Sequence, residues 1–102
     1  MEGRIICQAS GNSMLPVIHD GDTLVIERGN SKLDIGTIVL YKNDCGFVCA
    51  HRVIDCFYSH EVLIIVTKGD NCDSDDFPVV YRQVLGVVKQ VIRNRIQEDK
   101  IY

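Results

Sequence analysis

Short β-rich runs, punctuated by Gly, Asn and Asp, constrain this chain more than any other feature. Thr23-Leu24-Val25-Ile26 is closed by Arg28-Gly29-Asn30, a turn signal. Thr37 to Tyr41 is introduced by Asp34-Ile35-Gly36 and ended by Asn43-Asp44-Cys45-Gly46. Phe47 to Cys56 comes next, so these two runs are expected to pair as a hairpin. Glu61 to Lys68 holds Val62-Leu63-Ile64-Ile65-Val66, an apolar run that suits a strand buried on both faces. Gln83 to Arg93 is a further strand, in which Gly86 marks a bend or a close backbone approach. Arg4-Ile5-Ile6-Cys7 is expected at an edge. Helical signals reduce to a single turn from Met14 to Ile18, and the polar tail from Asn94 to Tyr102 is expected to fray. Short strands at this spacing predict a mostly β, coiled antiparallel sandwich or barrel.

A length of 102 residues suits one domain, 1–102, just large enough for a hydrophobic core without staples. Hydrophobic content of 46% and charged content of 25% are those of an ordinary globular protein. A formal charge of −3 argues against nucleic acid as a partner, since that needs a basic face. No apolar run approaches the roughly 20 residues that span a bilayer, and no basic start followed by an apolar signal segment is found in the sequence. The expectation is a cytoplasmic location, or a membrane-associated one if an amino-terminal anchor precedes this segment. Five cysteines (Cys7, Cys45, Cys49, Cys56 and Cys72) show no Cys-x-x-Cys spacing, which suits a reducing compartment and small core side chains.

Three polar motifs stand out against this β background. Gly11-Asn12-Ser13-Met14-Leu15-Pro16 could lift Ser13 out of the sheet, with backbone N–H groups around Asn12, Ser13 and Met14 aimed at a reacting carbonyl. A serine hydroxyl is a weak nucleophile without a positioned base, so the turn alone equally suits a helix cap or a loop. His51 lies in Phe47-Val48-Cys49-Ala50-His51-Arg52-Val53-Ile54, where alternation puts it on one face with Phe47, Cys49 and Val53. A histidine among apolar neighbours is either a hydrogen-bonded core residue or a base. His19 and His60 lie in polar turns and are poorer candidates.

The third motif, Thr67-Lys68-Gly69-Asp70-Asn71, opens the acidic stretch Asp70-Asn71-Cys72-Asp73-Ser74-Asp75-Asp76. Such a run is commonly a solvated loop, yet a carboxylate at a strand end is what a catalytic histidine needs for its orientation. The stretch lacks the Gly and Glu positions of an EF-hand loop, so calcium is not expected. Cys45, Cys49, His51 and Cys56 offer thiols and an imidazole suited to zinc, but their spacing fits no standard zinc pattern. Neither a metal nor another cofactor is expected.

Taken together, Gly-x-Ser-Met-x-Pro, Asp-Gly-Asp, Asp-Ile-Gly-Thr-Ile-Val, His-Arg-Val-Ile, Thr-Lys-Gly-Asp-Asn and Val-Leu-Gly-Val-Val resemble the type I signal peptidases. The motifs keep order and spacing from about Ala9 to Ile92. The superfamily also includes self-cleaving SOS-type repressors, whose base is a lysine; His51 at that position is similar to the endoplasmic-reticulum and archaeal subgroup. The resemblance implies the coiled antiparallel β-fold of signal peptidases and SOS-repressor C-terminal domains. It implies Ser13 as nucleophile, His51 as general base, and Asp76 as the aspartate that orients the histidine, with Asp75 one residue away. Asp70 matches the aspartate of the Lys-Gly-Asp-Asn box and is a second candidate orienter.

The activity that the resemblance implies is that of a serine endopeptidase. Its substrates would be signal or leader peptides, cleaved after small residues and held in extended form against a strand edge. Gly11 stands where many family members carry a hydroxyl residue, which leaves the oxyanion to the Ser13 backbone N–H and one further donor. About a dozen residues precede Ser13, fewer than the membrane helix usual in the family requires. The alternative is a non-catalytic module of the same fold that binds an extended peptide without cutting it.

Overall fold

A computed structural model describes residues 3–29 and 32–93. The tail 94–102 and Asn30, the last residue of one expected turn, lie outside the described residues. The strands are β1 (Arg4–Gln8), β2 (Thr23–Glu27), β3 (Ile38–Lys42), β4 (Val48–Ser59), β5 (Val62–Lys68), β6 (Val79–Val80) and β7 (Val84–Ile92). They form one antiparallel sheet in the order β1-β2-β7-β3-β4-β5-β6, which bears out the all-β expectation. No helix among the described residues is long and apolar enough to cross a membrane.

Local chemistry explains the two hairpins that carry most of the site. Between β3 and β4 the Asn43 side-chain oxygen accepts the N–H groups of Cys45 (3.0 Å) and Phe47 (2.9 Å). Gly46, at φ +88°, then takes the left-handed conformation that a side chain resists. β4 runs on past its expected end at Cys56 to Ser59, while β5 starts at Val62, one residue later than expected, so that only His60 and Glu61 lie between them, both at positive φ. That is the backbone of a two-residue hairpin turn, built here without its usual Asn-Gly signal.

Connectivity requires the sheet to curl. β7 and β6 stand four places apart in strand order, roughly 19 Å in a flat sheet. Only the 3₁₀ turn Tyr81–Gln83 joins them, and three residues of 3₁₀ helix advance about 6 Å. The sheet therefore rolls β6 back over β7, and Val79 and Val87 meet in one core with Val39, Tyr41, Val53 and Ile65. The opposite face of β2 and β3 carries a second core, in which Leu24, Ile26 and Leu40 pack with Met14 and Ile18 from the turn after Ser13. β5 is not buried on both faces as its apolar run suggests. Only Ile65 and Thr67 are fully enclosed and Val62 is 44% exposed, because its outer neighbour β6 is just two residues long.

Candidate active site

β4 delivers two polar side chains to opposite faces of the sheet, as alternation requires of neighbours. His51 pairs with Val39 of β3 and Arg52 with Ile38. The imidazole of His51 thus lies on the face of the first core, at its rim, with 13% of the side chain exposed. Its Nε2 is 3.0 Å from Ser13 Oγ and its Nδ1 is 2.6 Å from Asp76 Oδ2. An ionised carboxylate only accepts, so Nδ1 carries the ring proton and Nε2 is left to accept the Ser13 hydroxyl proton.

Ser13 is held by its loop rather than by regular structure. The N–H of Ile18 reaches the Met14 carbonyl at 3.0 Å, which closes the single turn expected there, and the Leu15–Pro16 peptide is cis. Met14 and Ile18 are each 4% exposed and anchor the loop in the second core. On the amino-terminal side, the Gly11 N–H donates to Asp20 Oδ1 at 2.8 Å. Asp22 is buried beneath this loop. It accepts the His19 N–H (2.7 Å) and the Arg93 guanidinium (3.1 Å), and the guanidinium chiefly holds its carboxyl below the usual range.

The turn after β5 clamps the loop from the other side. The Asn71 N–H donates to the Ser13 carbonyl at 2.8 Å, and the Asn71 side chain to the Asn12 carbonyl at 3.0 Å. Gly69 passes so close that a Cβ there would lie 2.7 Å from the Ser13 carbonyl oxygen, 2.7 Å from Cys72 Sγ and 3.3 Å from His51 Nε2. The glycine of this box is thus a spacing requirement of the Ser13–His51 approach.

The two candidate aspartates part company. Asp70 does not bond to His51; its carboxylate takes a two-pronged bond from Arg52, Nε at 2.9 Å and Nη2 at 2.7 Å. That bond holds the Asp70 carboxyl below the usual range and raises Arg52, whose Nη1 also donates to the Gly36 carbonyl at 2.8 Å. Asp75 is exposed, and Asp76 is the aspartate on the imidazole. Two residues that sequence reasoning passed over, Tyr41 and Thr67, also donate to Asp76 Oδ2, at 3.1 and 2.8 Å. Thr67 stands inside the Thr-Lys-Gly-Asp-Asn box, whereas Tyr41 reads in the sequence only as a strand residue. His19 is half-buried in its turn and His60 is exposed at the β4–β5 link.

A cavity of about 340 Å³ opens beside Ser13 and His51, walled by Ala9, Met14, Leu24, Leu40 and Ala50. It lies between β1, an edge strand, and the start of β4. Among the described residues no three His, Cys, Asp or Glu side chains gather to hold a metal, and the five cysteines form no disulfide. Burial pushes the Cys7, Cys49 and Cys56 thiols up from their ordinary range.

Residues 2–54 match the family described as Peptidase S24-like, a span that includes Ser13 and His51. The signal peptidase complex catalytic subunit SEC11 of Zygosaccharomyces rouxii is 31% identical over 88 residues, covering 84% of this chain and 52% of that protein. SEC11 of Yarrowia lipolytica is 31% identical over 98 residues, 86% of this chain and 56% of that protein. SEC11 of Candida tropicalis is 34% identical over 73 residues, 71% and 43% respectively. The chain thus spans about half the length of the curated relatives it matches. A matched span covering half the chain, with an all-antiparallel curled sheet of the same class, shows that this chain belongs to the S24-like family of the S24/S26 peptidase superfamily.

Proposed function

We propose that this domain is a serine endopeptidase that cleaves signal or leader peptides after small residues. The observation that carries the reading is the unbroken hydrogen-bonded line from Asp76 through His51 to Ser13, with contacts of 2.6 and 3.0 Å. In this reading Ser13 Oγ attacks the scissile carbonyl while His51 Nε2 takes its proton. Asp76 fixes the imidazole and balances the imidazolium that forms. Backbone N–H groups of the turn, that of Ser13 first, receive the oxyanion. His51 then protonates the leaving amine, and water releases the acyl group by the same route. Asp70 takes no part in the proton path; it holds Arg52.

The substrate class rests on the walls beside the serine and on the relatives' signal-peptidase role. The cavity's apolar lining and modest size suit small side chains, and β1, the edge of the sheet among the described residues, suits a peptide backbone in extended form. The test is cleavage of extended peptides with small-x-small sites by the parent, Ser13→Ala and His51→Ala. Cleavage by the parent that falls by at least about a thousandfold in both variants is the expected result. Ser13→Ala cleaving as well as the parent would overturn the reading, and binding without cutting by the parent would assign the domain to peptide capture.

A further inference from the structure

The proton path from Ser13 to Asp76 leaves two buried hydroxyls beside it without a task. Tyr41 Oη lies 3.1 Å from Asp76 Oδ2, Thr67 Oγ1 lies 2.8 Å from it, and the two hydroxyls are 3.0 Å apart. Tyr41 is 2% exposed and Thr67 fully enclosed, in a core otherwise lined by Val39, Val53 and Ile65. Phe and Val would pack equally well at these places and bring no polar atom to satisfy. The hydroxyls therefore answer to a need other than packing.

Proton counting shows what that need is. Two O–H protons serve three oxygen–oxygen contacts, and an ionised carboxylate can only accept. The arrangement that satisfies the charge turns both hydroxyls toward Asp76 Oδ2, the oxygen that also meets His51 Nδ1. Charge-assisted bonds of this kind are the stronger ones. Thr67 holds Asp76 twice over, because its carbonyl also accepts the Asp76 N–H at 2.8 Å. The two anchors stand on β3 and β5, the strands that flank the His51 strand. Asp76 itself sits in the irregular segment between β5 and β6, with 28% of its side chain exposed, where nothing in the backbone would stop the carboxylate from turning toward water.

We propose that Tyr41 and Thr67 are positioning residues: their hydroxyls clamp Oδ2 of Asp76 so that a fixed carboxylate faces Nδ1 of His51. The inference rests on the reading of Ser13, His51 and Asp76 as the proton path. Both hydroxyls act through Asp76 and touch no substrate. The clamp also accounts for Asp76 rather than its exposed neighbour Asp75 reaching the histidine, because only Asp76 is drawn onto Thr67 by both backbone and side chain.

Tyr41→Phe and Thr67→Val remove the hydroxyls while keeping shape, and Thr67→Ser restores one. Two readouts are taken on the folded proteins: the proton resonance of His51 Nδ1–H, which needs no activity, and kcat and KM on a small-x-small peptide. The resonance is expected to shift or broaden in Tyr41→Phe and Thr67→Val and to stay in place in Thr67→Ser. In the same two variants kcat falls about tenfold with KM unchanged, a loss confined to the transition state. In an Asp76→Asn background Tyr41→Phe adds no further loss, because the hydroxyl acts through that carboxylate. An unmoved resonance in both hydroxyl-deleted variants, or an equal loss with and without Asp76, would overturn the clamp. Absence of Ser13-dependent cleavage would instead sink the peptidase reading, and the resonance would still decide the clamp.

Discussion

Asp70 and Asp76, six positions apart in one loop, end on neighbouring side chains of β4, Arg52 and His51. Because Arg52 and His51 leave the strand on opposite faces, no single carboxylate can serve both. The Arg52 bond holds the Asp70 carboxyl below the usual carboxylate range. A group whose folded value is lowered adds stability above its unfolded value, about 3.9 for Asp, and loses it as pH falls through the folded value. Asp70→Asn is therefore expected to cost about 1 kcal/mol near neutrality, reduced for the partial exposure of the pair. The difference in urea midpoint between variant and parent should begin to shrink as pH falls below about 4 and vanish only below the lowered folded value of Asp70; parallel loss on acidification would contradict the pairing. Gly69→Ala tests spacing at the same scale. A Cβ 2.7 Å from the Ser13 carbonyl oxygen must move that backbone. We expect a loss of about 1–3 kcal/mol in denaturant unfolding and a fall in kcat of at least about tenfold, as the Ser13–His51 contact opens.

Strand packing sets the next level. Gly86 of β7 pairs with Leu40 of β3, and a Cβ there would lie 2.5 Å from Ile26 Cγ2 and 2.7 Å from the Glu27 carbonyl oxygen. The glycine read in the sequence as a bend or a close approach is a close approach, to β2, and the β2–β7 and β3–β7 registers both shift nearby. Gly86→Ala is expected to separate β2 from β7 and to lower stability by about 1–3 kcal/mol in urea titration, with no change in the residues around Ser13. A neutral result would mean that β2 yields without cost. The strands were legible because their alternation and turn residues are local signals. The extension of β4 to Ser59 and the two-residue β6 were not, since neither carries a turn or a periodicity of its own.

At the scale of the whole molecule, the site and the fold are the same object. Ser13 and His51 lie 38 positions apart and His51 and Asp76 lie 25 apart, so no single element holds two of the three. Arg93, just past β7, reaches back to the buried Asp22 beneath the serine loop and joins the far end of the described chain to that loop. Peptide cleavage is accordingly expected to disappear along the same urea curve as the far-ultraviolet signal, within the error of a two-state fit. Activity lost at markedly lower urea would show that the loop opens on its own, as weakly packed segments do. The sequence by itself determined the strand content and the hairpin between β3 and β4, because each is written in a local period or turn signal. It offered Ser13 and His51 as candidates only through several motifs taken together, since neither short motif alone singles out its residue. Tertiary structure decided among Asp70, Asp75 and Asp76, placing Asp76, which the resemblance had favoured, on His51 and Asp70 on Arg52. It alone decided that Tyr41 and Thr67 close on Asp76 and that β6 rolls over β7. Those outcomes depend on which faces and strand ends meet across the sheet, and the curl that brings them together is a property of all seven strands at once.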